Sequence, residues 1–122
     1  MQIFPVADHH SDDRRDLTAF RPPPEFPRAA EAKVLVTKKA EVRLGNHSHP
    51  HFEGFFLVAG SCTVRTWTPT GGVQEQSLSA PIMFMFEPNE EHLLTCSEGM
   101  VIVGYMPVTF EEERNVPAQH LS

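Results

Sequence analysis

His47-Ser48-His49-Pro50-His51-Phe52-Glu53, followed by Phe55-Phe56-Leu57-Val58-Ala59 and a closing Gly60, is the stretch on which the fold turns. In an extended strand successive side chains alternate faces, so His47 and His49 project together and Ser48 points away. Glu53 lies four residues beyond His49, past Pro50, where the next strand returns a carboxylate to the same pocket. His92, in Pro88-Asn89-Glu90-Glu91-His92, comes just after the apolar run Ile82-Met83-Phe84-Met85-Phe86 and supplies a fourth candidate donor. Neutral imidazoles with a carboxylate suit Zn, Fe, Mn, Ni or Co better than Ca or Mg. An octahedral ion held by these four keeps two positions open; a tetrahedral zinc is filled by them.

Working outward, the chain from Lys33 onward breaks into short β-like runs separated by turn signals. Val34–Thr37, Glu41–Leu44, Phe55–Ala59, Cys62–Trp67, Val73–Leu78, Ile82–Phe86, His92–Cys96 and Met100–Met106 make about eight strands. Gly60-Ser61 reads as a tight turn and Pro69-Thr70-Gly71-Gly72 as the clearest loop. No window carries sustained helical periodicity; the nearest is an acidic turn at Phe110-Glu111-Glu112-Glu113-Arg114. Eight short strands punctuated by Gly and Pro predict a sandwich or barrel. Residues 1–31 read differently. Asp12-Asp13-Arg14-Arg15-Asp16 and Arg21-Pro22-Pro23-Pro24 form a polar, proline-rich arm, and three successive prolines forbid a helix there. The expected organisation is an arm over 1–31, a barrel over 32–107 and a C-terminal tail over 108–122.

His-x-His, three residues, Glu, six residues, Gly resembles the first motif of the cupin superfamily. Pro88 through His92 resembles the second, which ends in the fourth metal-binding His; Glu90 stands where the family has Gly, and Cys96 where it has Asn. The resemblance covers residues 33 to 107. It implies an all-β, double-stranded β-helix (jelly-roll barrel), with His47, His49, Glu53 and His92 as ligands of one divalent transition metal. It also implies a homodimer, because such arms in cupins often pack on a neighbouring subunit. A second resemblance is to the sugar-nucleotide epimerases and ketoisomerases of the same superfamily. Asp13-Arg14-Arg15-Asp16-Leu17-Thr18-Ala19-Phe20 is similar to their Asp-x-Arg-Gly-x-Leu opening, and Val42-Arg43-Leu44-Gly45-Asn46-His47-Ser48-His49 to their Arg-Arg-Gly-x-His-x-His strand. Asp16, Leu44 and Pro50 depart from the Gly, Arg and Lys common there. In those enzymes the His pair transfers protons beside a keto group, often without metal, which implies His47 and His49 as the catalytic pair.

Composition narrows the rest. A chain of 122 residues fits one domain. Its 40% apolar content, with nine Phe, argues for a folded globular protein. The net charge of −6 disfavours nucleic acid and anionic membranes as partners. No apolar run approaches the roughly 20 residues that span a bilayer, and no secretory signal is visible at Met1-Gln2-Ile3-Phe4-Pro5. Cys62 and Cys96 lie in strand-like segments without CxxC spacing and read as reduced, core-facing thiols of a cytoplasmic protein. His51 shares the parity of His49 but sits in the turn, where exposure is expected; Tyr105, the only Tyr, is a lesser candidate for proton transfer. Phe55, Leu57, Phe84 and Phe86 are candidate apolar walls of a small-molecule pocket.

Three functional classes stay open. The spacing of Glu53 favours a metal-dependent enzyme on a small molecule, an oxygenase or isomerase. The alternatives are a sugar-nucleotide epimerase or ketoisomerase that uses His47 and His49 directly, and a cupin that binds or senses a small molecule without chemistry.

Overall fold

The computed structural model describes residues 1–109 and 112–121. All eight expected strands form: Glu31–Val36 (β4), Val42–Ser48 (β5), Glu53–Ala59 (β6), Ser61–Thr68 (β7), Gly72–Ser79 (β8), Ile82–Phe86 (β9), Glu91–Cys96 (β10) and Val101–Met106 (β11). Four more lie outside the region that sequence periodicity marks: Gln2–Phe4 (β1), Asp8–Ser11 (β2), Asp16–Ala19 (β3) and Val116–Pro117 (β12). The acidic turn expected at Phe110–Arg114 falls partly on Phe110 and Glu111, outside the described residues.

Two five-stranded antiparallel sheets face each other, in the orders β1-β9-β6-β11-β4 and β12-β5-β10-β7-β8, and β2-β3 stands apart as a hairpin. This is the jelly roll that the motifs imply. The inward-facing apolar residues of the two large sheets fuse into one core. Leu57, Phe84 and Ile102 of the first sheet meet Val64, Leu78 and Leu94 of the second, all at most 4% exposed. Cys62 and Cys96 sit opposite each other in the β7–β10 register as free, buried thiols. Burial pushes them up to about 12 and about 11, so both stay protonated at neutral pH.

The arm is structured. β1 covers the outer edge of β9, which removes one open sheet edge. Phe20 and Phe26 then pack on Phe56 from outside the first sheet, with ring centroids 4.2 and 5.5 Å away. Gly54 makes room for this: a Cβ there would lie 2.2 Å from the Phe26 ring. Tyr105 belongs to the same outer cluster, against Phe26 and Phe56. It therefore faces away from the space between the sheets, which removes it as a proton-transfer group. Among the described residues no helix is long and apolar enough to cross a membrane.

Candidate active site

Strand alternation alone would turn the histidines the wrong way. Leu44 faces the interior, so simple parity would send Asn46 and Ser48 inward and His47 and His49 outward. A β-bulge corrects this. In the β5–β10 pairing, His47 is opposite His92 and Gly45 is opposite Leu93, with Asn46 as the extra residue. Gly45 and Asn46 both take positive φ, 87° and 64°, the backbone shape of a glycine-led bulge. The bulge inverts parity, and Leu44 and His47 both line one cavity. A Cβ on Gly45 would sit 2.9 Å from the His92 carbonyl oxygen, so only glycine lets the two motif strands approach here. We expect Gly45→Ala to destabilise the fold by about 1–3 kcal/mol through backbone strain and to separate His47 from His92. Denaturant titration checks it, and an unchanged midpoint would contradict this account of the bulge.

The four motif residues converge. The His47 ring lies 4.4 Å from His49 and 4.9 Å from His92, and His49 lies 5.1 Å from His92, centroid to centroid. Glu53, the first residue of β6, reaches across from the facing sheet. Its Oε1 is 3.3 Å from His49 Nε2 and 3.5 Å from His92 Nε2. Phe86 stacks on His92 at 4.1 Å and 5° and fixes the ring plane.

Tautomers follow from the outer nitrogens. His92 Nδ1 is 3.0 Å from the Glu90 carbonyl oxygen, and His49 Nδ1 is 3.3 Å from that of Arg114. A carbonyl can only accept, so both Nδ1 atoms donate, and in the neutral rings each Nε2 carries a lone pair. Both Nε2 atoms are buried and have no hydrogen-bond partner among the described residues. Two lone pairs aimed at one carboxylate oxygen are unfavourable unless a positive charge lies between them. A proton on His49 or a divalent cation meets that need, and His47, His49 and His92 present ligand atoms within 4.8 Å of one another. The donor set therefore fits a transition metal.

The electrostatics separate the three rings. Burial, and then the neighbouring His49, lowers the His47 pKa below the ordinary imidazole value. Burial drives His92 down to about 4, so it stays a neutral donor at physiological pH. Burial also opposes charge on His49, but Glu53 and Glu113 outweigh it, and its pKa is raised. Glu53 mirrors this: burial opposes its ionisation, His49 and His92 outweigh the penalty, and its pKa is lowered.

The cavity holds about 310 Å³ between β4, β5, β6, β10 and β11, within the usual size of a small-molecule site. His47, Glu53 and His92 line it, with Leu44, Phe55 and Leu94 among its apolar walls. His49 sits behind them. Of the four expected apolar walls only Phe55 reaches the cavity; Leu57, Phe84 and Phe86 pack in the core behind it. His51 is half-buried rather than exposed. Its ring stacks on His49 at 5.0 Å and 10°, and its Nδ1 meets the Phe52 carbonyl at 2.9 Å.

Sequence reasoning missed Lys33 and Glu113, which also line the cavity. Lys33 is an inward position of β4. Glu113 comes from the tail, with its Oε1 3.4 Å from His49 Nδ1 and its Oε2 3.9 Å from Lys33 Nζ. The acidic run around it reads in sequence as a solvated turn.

No protein-family model matches the chain, and no curated protein matches it by sequence. Solved structures do match. A TDP-quinovose 3,4-ketoisomerase from Campylobacter jejuni superposes with a TM-score of 0.76 over 94% of this chain and 90% of its own, at 16% identity. A sugar 3,4-ketoisomerase from Thermoanaerobacterium thermosaccharolyticum, in complex with TDP, gives 0.74 over 91% and 82%, also at 16% identity. The capsular polysaccharide assembling protein CapF from Staphylococcus aureus gives 0.64 at 20% identity; the match covers 95% of this chain and 32% of CapF. At these identities the likeness is one of fold, and the fold is the cupin barrel.

Proposed function

We propose that the chain is a sugar-nucleotide isomerase or epimerase acting on a keto sugar, with His47 as the group that moves the proton and His49 held behind it. The observation that carries the reading is the bulge that turns His47 into an apolar-walled cavity beside His49 and His92, on a barrel like those of the 3,4-ketoisomerases. Those enzymes supply the substrate class: one was solved with TDP-4-keto-6-deoxyglucose. The expectation from Glu53 alone ranked metal-assisted catalysis first, and the ketoisomerase likeness reverses that order.

The chemistry needs a neutral base beside an acidic C–H. His47, its pKa lowered, is largely unprotonated at neutral pH. It takes the proton from the carbon next to the ketone while the carbonyl oxygen gains one, giving an enediol. Loss of the proton from the neighbouring hydroxyl, and return of a proton to the former carbonyl carbon, completes the shift with no redox partner. The positive charge expected between His49, His92 and Glu53 stabilises the enolate oxygen as it develops. Among the lining residues Lys33 is the cation, set against Glu53 and Glu113. The keto ring therefore enters the cavity, and the diphosphate stays outside it.

A second reading keeps His47, His49, Glu53 and His92 as ligands of one divalent metal (Fe, Mn, Ni, Co or Zn), in an oxygenase or isomerase. It is favoured by the two buried Nε2 atoms that have no hydrogen-bond partner among the described residues. A metal bound there would polarise the substrate carbonyl as a Lewis acid. The test is proton NMR of TDP-4-keto-6-deoxyglucose with the protein in D₂O. Deuterium entering beside the ketone supports the isomerase reading; binding without exchange favours the non-catalytic class, and no binding removes the substrate class.

The same reading takes the chain to be cytoplasmic and a homodimer. Val34, Val36 and Val58 are 69%, 56% and 48% exposed on the outer face of the first sheet, and β4 is its open edge. Such a face invites a second copy. Light scattering is expected to give twice 13.7 kDa, and Val34→Lys is expected to shift the protein toward monomer. A monomeric wild-type chain at tens of micromolar would end the proposal.

A further inference from the structure

The tail is tied down over most of its described length, and the proton-transfer reading does not use the side chains that tie its far part. β12 pairs with Ser48 and His47 of β5, and Ala118 N–H donates to the Asn46 carbonyl at 3.0 Å. Farther along, the Glu91 carboxylate accepts the Gln119 and His120 N–H groups at 3.1 and 3.0 Å, and its other oxygen lies 2.9 Å from His120 Nδ1. The His120 ring lies flat on Trp67, with centroids 3.6 Å apart and planes 3° apart. Leu121 is 1% exposed. Residues 118–121 are held by a charged, hydrogen-bonded and stacked latch. None of Glu91, Trp67 and His120 lines the cavity.

What the latch holds is part of the site. The same segment carries Glu113 and Asn115 into the cavity wall. Glu113 has a side chain only 5% exposed beside His49 Nδ1, and the Arg114 carbonyl faces that same nitrogen. The other flank of the latch is equally close to the chemistry: Glu91 is the chain neighbour of His92.

We propose that Glu91, Trp67 and His120 are positioning residues. They latch the segment 112–121 across the barrel mouth, so that Glu113 and the Arg114 carbonyl hold the His49 ring with Nε2 toward the centre. The inference rests on the His47–His49 site proposed above, and its decisive measurements do not depend on turnover. His120 is partly exposed, with a side chain 42% accessible, so His120→Ala removes the latch without opening the core. Arg114 is exposed in the latched segment and offers a trypsin site that reports release.

In the full-length chain, His120→Ala is expected to speed native-state trypsin cleavage after Arg114 about tenfold or more, the size expected from losing one aromatic stack together with a charge-assisted hydrogen bond. It should also move the His49 ring ¹⁵N signals toward those of the Glu113→Gln chain. Glu91→Gln, on the opposite side of the latch, should produce the same pair of changes. His120→Phe, which keeps the stack and loses the hydrogen bond, should fall between. Cleavage at the wild-type rate in both His120→Ala and Glu91→Gln would overturn the latch. Faster cleavage with the His49 signals unmoved would overturn its positioning role, whether or not the protein turns over a keto sugar.

Discussion

His47→Asn is expected to slow deuterium exchange beside the ketone of TDP-4-keto-6-deoxyglucose by about 10²–10⁴-fold, the usual contribution of a positioned acid–base group. Asn keeps a polar side chain in the cavity wall but has no basic nitrogen, so binding should survive and kcat should carry the loss. The expectation falls on His47 because it lines the cavity and is not held by Glu53, while His49 and His92, the latter also in the cavity wall, turn buried Nε2 atoms toward Glu53. Tyr105→Phe is the control: Tyr105 packs outside the first sheet against Phe26 and Phe56, so its hydroxyl should be without effect on the rate. Exchange at the wild-type rate in His47→Asn would remove His47 as the base. An equal loss in Tyr105→Phe would mean that the outer cluster, not the ring nitrogen, controls the reaction.

The parts legible in the sequence are those that local patterning determines. The eight barrel strands each alternate or run apolar between Gly and Pro signals, and all eight form. The His-x-His spacing marked residues that do meet Glu53 and His92 in space. The facing of β5 was right for a reason that alternation does not contain. His47 and His49 share a face in any extended strand, but only the bulge at Gly45 and Asn46 makes that face the one Leu44 occupies. The four additional strands have partners distant in sequence or no apolar face. β1 is three residues on the edge of β9, β2-β3 is a polar hairpin, and β12 contains a proline. Tertiary pairing creates such strands, and propensity does not announce them. Glu113 was hidden in the same way, since an acidic run on a tail carries no period that says it will be buried against His49.

Removal of His92 is expected to lower transition-metal affinity by at least about 100-fold, beyond the roughly 10–100-fold typical of losing an outer-shell partner. The argument starts from charge. His49 Nε2 and His92 Nε2 lie 3.3 and 3.5 Å from Glu53 Oε1, and both ring nitrogens are buried. Either a proton held by His49 or a metal ion satisfies that geometry, and the two compete. His92 distinguishes them. Burial keeps it neutral down to about 4, so it contributes little to holding a proton, whereas to an ion it offers a full lone pair. Where the ion wins, as the second reading requires, wild-type protein purified without chelator carries close to one metal per chain by elemental analysis, and His92→Ala markedly less. Stability should follow by linkage: metal at a thousand times its Kd adds about 4 kcal/mol to the wild-type unfolding free energy and little to that of His92→Ala. Substoichiometric metal in the wild type, with no stabilisation on adding Zn, Mn or Fe(II), would leave the His49–Glu53 pair sharing a proton and the catalytic work to the imidazoles alone.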